Sequence, residues 1–225
     1  MQIGPLTINS KLALAPMAGV TDAACRQICS ELGAGLTCTE LVSAKALCYQ
    51  DKKSRLLLKP FPGEAPFAAQ IFGSDASCMA EAAQIAIEAS GADILDINMG
   101  CPVGKVVSSG DGAALMKDPE KAARLAEAVV KASPVPVTAK MRRGWDRGSI
   151  NAVELAKLLE EAGGAAVTVH TGAAWGEWAP PPGRPPPPGR SRGCRSTPGR
   201  SWPCRPRSAS ECAPRPPRRT RPRWR

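Results

Sequence analysis

The residue types best suited to chemistry are concentrated in DINMGCPVGKVVSSGDGAALMKDP, residues 96–119. An apolar strand delivers Asn98 and then Cys101 into a loop that also holds Gly100, Gly104, Gly110 and Gly112. Glycines let backbone come close to a flat ligand. The same loop also reads as an ordinary strand-to-helix connection with a buried thiol, because a free cysteine commonly behaves as a small hydrophobe. Comparable residues recur at the ends of other apolar runs: Pro16 and Met17, Glu40, Gln70 and Gly73, Lys140 and Arg142, and His170. In a parallel α/β fold the carboxyl ends of the strands are where chemistry is placed.

The elements that must position these residues are legible as alternating short apolar runs and longer helical patterns, the text of βαβ units. Strands are predicted at Leu12–Ala15, Leu36–Glu40, Phe67–Phe72, Ile94–Asn98, Val135–Lys140 and Ala166–His170. Thr21 is the expected N-cap of the helical stretch DAACRQICSELGAG. Further helices are predicted at residues 77–90 with a stop at Gly91, after Asp118 and Pro119, and at residues 150–162. Six strands at about 30 residues per unit suit an incomplete (β/α)8 barrel, a TIM barrel with about six strands. A doubly wound open sheet is the rival, because periodicity alone does not separate the two.

Charge divides the chain. Residues 1–171 hold 17 Lys and Arg against 18 Asp and Glu, whereas residues 172–225 hold 13 against 2, so the whole excess of +10 belongs to the second segment. That segment contains 14 of the 23 prolines and no Leu, Ile, Val, Met, Phe or Tyr. Without aliphatic residues it cannot offset its ordering entropy, so residues 172–225 are expected to be a disordered Pro/Arg-rich tail and residues 1–171 the globular domain. No run approaches the roughly 18 apolar residues of a membrane span, and the N-terminus lacks the pattern of a signal peptide. A cytoplasmic protein without a membrane partner is expected. The six body cysteines lack paired C-x-x-C spacing and the one histidine is His170. Zinc and disulfide frameworks are therefore set aside, and no metal is expected.

APMAGVTDAACRQICSELGAG, QIFGSD, DINMGCPVGKVVSSGDGAALMKDP, VTAKMRRGWD and VTVH stand in the order and at the spacing of the tRNA-dihydrouridine synthases. The chain most resembles their bacterial B type, from residue 1 to about 170. The resemblance implies a (β/α)8 barrel enzyme that reduces the C5=C6 bond of uridines in tRNA, with FMN as carrier and NADPH as reductant, acting as a monomer. Cys101 matches the general acid of that family, a role that needs a thiol still protonated. Asn98 matches the contact to the uracil and flavin edge. Lys140 matches the cation beside the flavin pyrimidine ring, and Gln70 offers that edge both a donor and an acceptor. Pro16, Met17 and Ala18 match the backbone lying against the ring, and His170 matches the histidine at the sixth strand end. Arg142 and Arg143 are candidates for phosphate, of FMN or of RNA, or for plain solvation.

After VTVH the resemblance stops and the text becomes TGAAWGEWAPPPGRPPPPGRSRGCRSTPGR. Residues with GC-rich codons dominate it, which suggests an out-of-frame reading beginning near residue 171; an intact in-frame gene encoding the same tail would sink that idea. A barrel with six of its eight strands leaves unpaired edges and lacks the phosphate loops after strands 7 and 8. The chain as written is therefore expected to bind FMN poorly, to aggregate or be degraded, and to have weak or no activity. Two other functions remain open. One is an FMN barrel reducing free pyrimidines, which a tRNA versus free-uracil assay separates. The other is an RNA-binding protein working through its Arg/Pro tail, which deletion of residues 172–225 and the salt dependence of RNA affinity separate.

Overall fold

The structure is a computed structural model that describes residues 1–172 and Ala174. Apart from Gly172 and Ala174, the tail of residues 172–225 lies outside the described residues, and the expectation of disorder there with it. An antiparallel hairpin, β1 (Gln2–Ile3) and β2 (Leu6–Thr7), opens the chain. There follow α1 (Ala23–Glu31), β3 (Thr37–Cys38), β4 (Val42–Ser43), α2 (Ala44–Cys48) and α3 (Lys52–Leu57). The second stretch comprises β5 (Phe67–Phe72), α4 (Ala76–Ser90), β6 (Ile94–Met99), α5 (Gly104–Val107), a 3-10 helix at Gly112–Lys117 and α6 (Pro119–Ala132). It closes with β7 (Val137–Arg142), α7 (Ala152–Glu161) and β8 (Ala166–His170). Among the described residues no helix is long and apolar enough to cross a membrane.

The strands β3, β5, β6, β7 and β8 pair in that order, all parallel, with β4 continuing alongside β5. Spatial order therefore follows sequence order without reversal. A doubly wound sheet starts in its middle and reverses at a switch point, so the rival fold falls. The helices pack in the same succession, α2 on α4, α4 on α6 and α6 on α7, as in the outer ring of a (β/α)8 barrel.

Side chains alternate across this sheet. The odd-numbered Ile71, Leu95, Ile97, Met99, Ala139 and Met141 meet the helices in the main core. The opposite face carries layers. Cys38, Ala68 and Ile94 form the lowest, sealed by Ile3 and Ile8 from the hairpin region. Above them lie the polar side chains of Gln70, Asp96 and Thr138, all buried. A barrel interior is filled in this layered way, as a packed core.

Local chemistry explains where prediction and structure part. The first predicted strand shrinks to one parallel bridge, Ala13 with Leu36, because its only neighbour among the described residues is the start of β3. Val135 and Pro136 stay outside β7, since proline has no N–H to give the ladder. Thr21 does not cap α1. The Asp22 carboxylate does, accepting from the Cys25 amide at 2.8 Å. Thr21 turns back instead, accepting from the Met17 amide at 3.0 Å and donating to the Met17 carbonyl at 3.2 Å. Elsewhere the caps are those the sequence announces: Asp118 takes the Lys121 amide at 2.9 Å, and Gly91 leaves α4 in a left-handed conformation.

Candidate active site

The buried polar layer is one continuous hydrogen-bonded chain. Asp96 accepts from Thr138 Oγ1 on one oxygen and from Gln70 Nε2 on the other, the latter at 2.6 Å. Gln70 Oε1 accepts from Asn98 Nδ2 at 2.8 Å. Asn98 Oδ1 in turn accepts from the amides of Gly100, at 3.2 Å, and Cys101, at 2.9 Å. Register brings these groups together: Gln70 pairs with Asp96, Asn98 with Lys140, and Lys140 with Thr168. Because a carboxylate only accepts, Asp96 dictates which way the Gln70 amide points, and Gln70 then dictates Asn98. The geometry of the Cys101 turn is thus set three residues away, inside the sheet.

Two further contacts pin that turn. Arg142 Nε donates to the Gly100 carbonyl at 2.7 Å, and the Ala113 amide donates to the Cys101 carbonyl at 3.0 Å. Gly112, with φ near +59°, permits the second contact: a Cβ there would stand 2.8 Å from the Cys101 carbonyl oxygen. Cys101 is held half-buried at the rim.

Electrostatics sharpen the picture. Burial raises the Asp96 carboxyl above its ordinary range, opposed by the bonds from Thr138 and Gln70 and by the charge of Lys140. Burial lowers the Lys140 ammonium, opposed by Asp96. The Lys140 ammonium has neither hydrogen bond nor ion pair among the described residues. A half-buried cation at a strand end without a partner is suited to an anionic or electron-rich ligand. His170, at the end of β8, is pushed below its ordinary range by burial and by the charges of Arg142 and Lys140. Its Nδ1 accepts from the Gly172 amide at 3.1 Å and lies 3.4 Å from Arg142 Nη1, which leaves the proton of the neutral ring on Nε2.

The structure gathers Gln70, Asn98, Cys101, Lys140 and His170 at one edge of the sheet. Gln70 is wholly buried, and the two contacts of its amide leave one N–H and one lone pair. Pro16, Met17 and Ala18 form a separate loop, held by Thr21 and by the Gly19 amide donating to Glu40 Oε2. Among the described residues that loop reaches the network through Glu40 and Thr39, whose Oγ1 accepts from the Gln70 amide at 3.0 Å. Met17 is 59% exposed, an apolar side chain displayed at the rim. Arg142, a phosphate candidate in the sequence, is turned inward to Gly100 and His170.

Residues 13–174 match the dihydrouridine synthase (Dus) family. The chain belongs to the dihydrouridine synthase family. It is 48% identical over 170 residues to tRNA-dihydrouridine synthase B of Pseudomonas aeruginosa, an alignment covering 76% of this chain and 51% of that protein. Identity to the protein of the same name from Pseudomonas syringae pv. tomato is 46% over 170 residues, 76% and 50% of the two chains. A probable tRNA-dihydrouridine synthase of Rhizobium leguminosarum bv. phaseoli is 47% identical over 165 residues, 73% and 51% of the two chains. The chain spans about half the length of the curated relatives it matches.

In this member of the family the sequence reading missed Asp96 and Thr138. The signal was present: Asp96 stands two residues before Asn98 in an otherwise apolar strand, hence on the same face. Its role gives a sharp expectation. In Asp96→Leu the Gln70 Nε2 loses its acceptor, nothing fixes which way the Gln70 amide points, and Asn98 and the Gly100 and Cys101 amides it holds are released from the relay. Stability should fall by about 1–3 kcal/mol, read by chemical denaturation. Hydrogen exchange at the Gly100 and Cys101 amides should quicken. A stable variant with unchanged exchange there would refute the relay.

Proposed function

We propose that residues 1–170 form the uracil- and flavin-facing half of a tRNA-dihydrouridine synthase barrel, with FMN as cofactor, NADPH as reductant and tRNA as substrate, working in the cytoplasm. The observation that carries this reading is the relay from Asp96 through Gln70 and Asn98 to the Cys101 turn, beside the unpartnered Lys140. FMN when bound supplies the hydride for one carbon of the uracil C5=C6 bond, and NADPH renews it.

The chain's own residues account for the rest. Lys140 presents its ammonium to the electron-rich pyrimidine edge of the flavin, and Gln70, buried beneath that edge, orients Asn98 toward it. Pro16, Met17 and Ala18 cover the ring, with Met17 as the apolar surface. Neutral His170 donates from Nε2 to an oxygen of the ligand. Asn98 contacts the uracil edge while fixing the turn, and the Cys101 thiol gives its proton to C5, leaving a thiolate that water reprotonates. Backbone placement by Asn98 aims that thiol without a second side chain acting as base.

The phosphate site of such barrels lies in loops after strands 7 and 8, so the reading is tested with the other half of a relative supplied. Grafting residues 1–170 onto the remaining half of the Pseudomonas aeruginosa relative should restore flavin absorbance to one FMN per chain. A graft that folds yet takes up no flavin would overturn the reading.

Lys140→Met tests the cation. Folding lowers the Lys140 pKa below its unfolded value. Its charge therefore opposes folding at neutral pH, and that burden lifts as pH rises from the folded to the unfolded pKa. The variant without cofactor should be more stable at neutral pH and lose the alkaline part of its pH dependence. The grafted enzyme carrying it should hold flavin roughly tenfold more weakly, the loss of one charge-assisted contact.

A further inference from the structure

Away from the relay, α2 ends and α4 begins against each other, and each contributes a cysteine. Cys48 is the last residue of α2 and Cys78 lies in the first turn of α4. Their Sγ atoms are 3.4 Å apart, and Cys48 Sγ also lies 3.5 Å from the Cys78 carbonyl. Both thiols are partly exposed and line a cavity of about 890 Å³, whose other walls include Lys45, Asp75, Lys105 and Ser109. A small polar molecule can enter there. Cys38, by contrast, is buried in the barrel interior.

We propose that Cys48 and Cys78 are a redox-active dithiol, which a low-molecular-weight disulfide of the oxidised glutathione type converts to an intramolecular disulfide linking α2 to α4. The Cys78 thiolate attacks one sulfur of the small disulfide, whose S–S bond breaks, and the expelled thiolate takes up a proton. Cys48 then loses its proton and attacks the Cys78 sulfur of the mixed disulfide, expelling the second small thiol. Two protein thiols are oxidised, and one disulfide is reduced to two thiols. Cys48 donates from Sγ to the Cys78 carbonyl, a contact that holds its proton in place, and burial and the neighbouring thiol push Cys48 up to about 12; the first attack falls to Cys78 and resolution to Cys48. A disulfide of about 2.05 Å requires the sulfurs to close by about 1.4 Å, within the reach of side-chain rotation.

The link bears on the site through Ser74. Ser74, just before α4, donates from Oγ to the Ser109 carbonyl at 3.3 Å, in the loop that follows Cys101. Clamping α2 to α4 stiffens the wall that this loop leans on.

The test treats the full chain with oxidised glutathione under native conditions and maps linked peptides without reduction. The Cys48–Cys78 peptide should exceed every other linked pair by at least about tenfold, and the excess should vanish when the reaction is run in guanidinium chloride. Cys48→Ser should stop at a glutathione adduct on Cys78, and Cys78→Ser should leave Cys48 unmodified. A Cys48–Cys78 yield no higher in the native than in the denatured chain would overturn the proposal. So would separate stable adducts on both cysteines of the native protein.

Discussion

Replacing Cys101 by alanine in the grafted barrel is expected to slow dihydrouridine formation by about 10²–10⁴-fold, the usual worth of a positioned general acid. Flavin content and thermal stability should stay at the level of the unmutated graft, because the contacts of Cys101 with Asn98 and Ala113 run through its backbone. Cys101→Ser should be nearly as slow, since an alcohol is a far weaker acid than a thiol. The separation of effects is the point. Asp96→Leu disturbs the frame and changes stability, whereas Cys101→Ala removes only the proton donor. Rates within threefold of the unmutated graft, roughly 0.6 kcal/mol, would take Cys101 out of the chemistry.

The second large effect concerns stability. Arg26 and Glu64, both almost wholly buried, form a bidentate ion pair with Nε to Oε1 at 2.7 Å and Nη2 to Oε2 at 3.0 Å. Both carboxylate oxygens carry a second bond, and each guanidinium nitrogen donates at least once. Arg26 also donates to the Thr21 and Lys59 carbonyls, and Glu64 accepts from Thr37 Oγ1 and the Phe61 amide. Glu64→Gln turns an amide N–H₂ toward the guanidinium and strands its charge, which should cost about 3–5 kcal/mol. For a domain of this size the melting temperature should drop by about 10 °C or more. Replacing both partners, Arg26→Met with Glu64→Leu, should cost less than the single change, because no charge is left alone. Since Arg26 holds the Thr21 carbonyl and Thr21 holds Met17, Glu64→Gln should also loosen the loop of Pro16–Ala18. A single variant as stable as the unmutated chain would show that the pair contributes nothing.

Much of this was legible in the chain, for identifiable reasons. The runs Phe67–Phe72 and Ala166–His170 are bounded by turn signals, and both strands lie where they were read. Gln70, Asn98 and Lys140 lie in the carboxyl-terminal halves of their strands and Cys101 just beyond one, which a parallel fold must bring to one edge. Partnerships across strands were not legible. Nothing local ties Asp96 to Thr138, or Arg26 to Glu64, because register and not sequence distance makes them neighbours. The short helices α2 and α3 escaped because five or six residues carry too little periodicity, although Ser43 and Asp51 cap them as N-cap residues should. The choice between barrel and doubly wound sheet hung on strand order, a property of the whole sheet that no single segment expresses.

The central claim is that residues 1–170 carry the chemistry of uridine reduction. It is tested most directly by expressing the graft in bacteria lacking their own dihydrouridine synthases and measuring dihydrouridine in purified tRNA by nucleoside mass spectrometry. Dihydrouridine is expected to reappear with the graft and to be absent with its Cys101→Ala variant. A folded graft holding one FMN per chain that leaves the tRNA free of dihydrouridine would contradict the account.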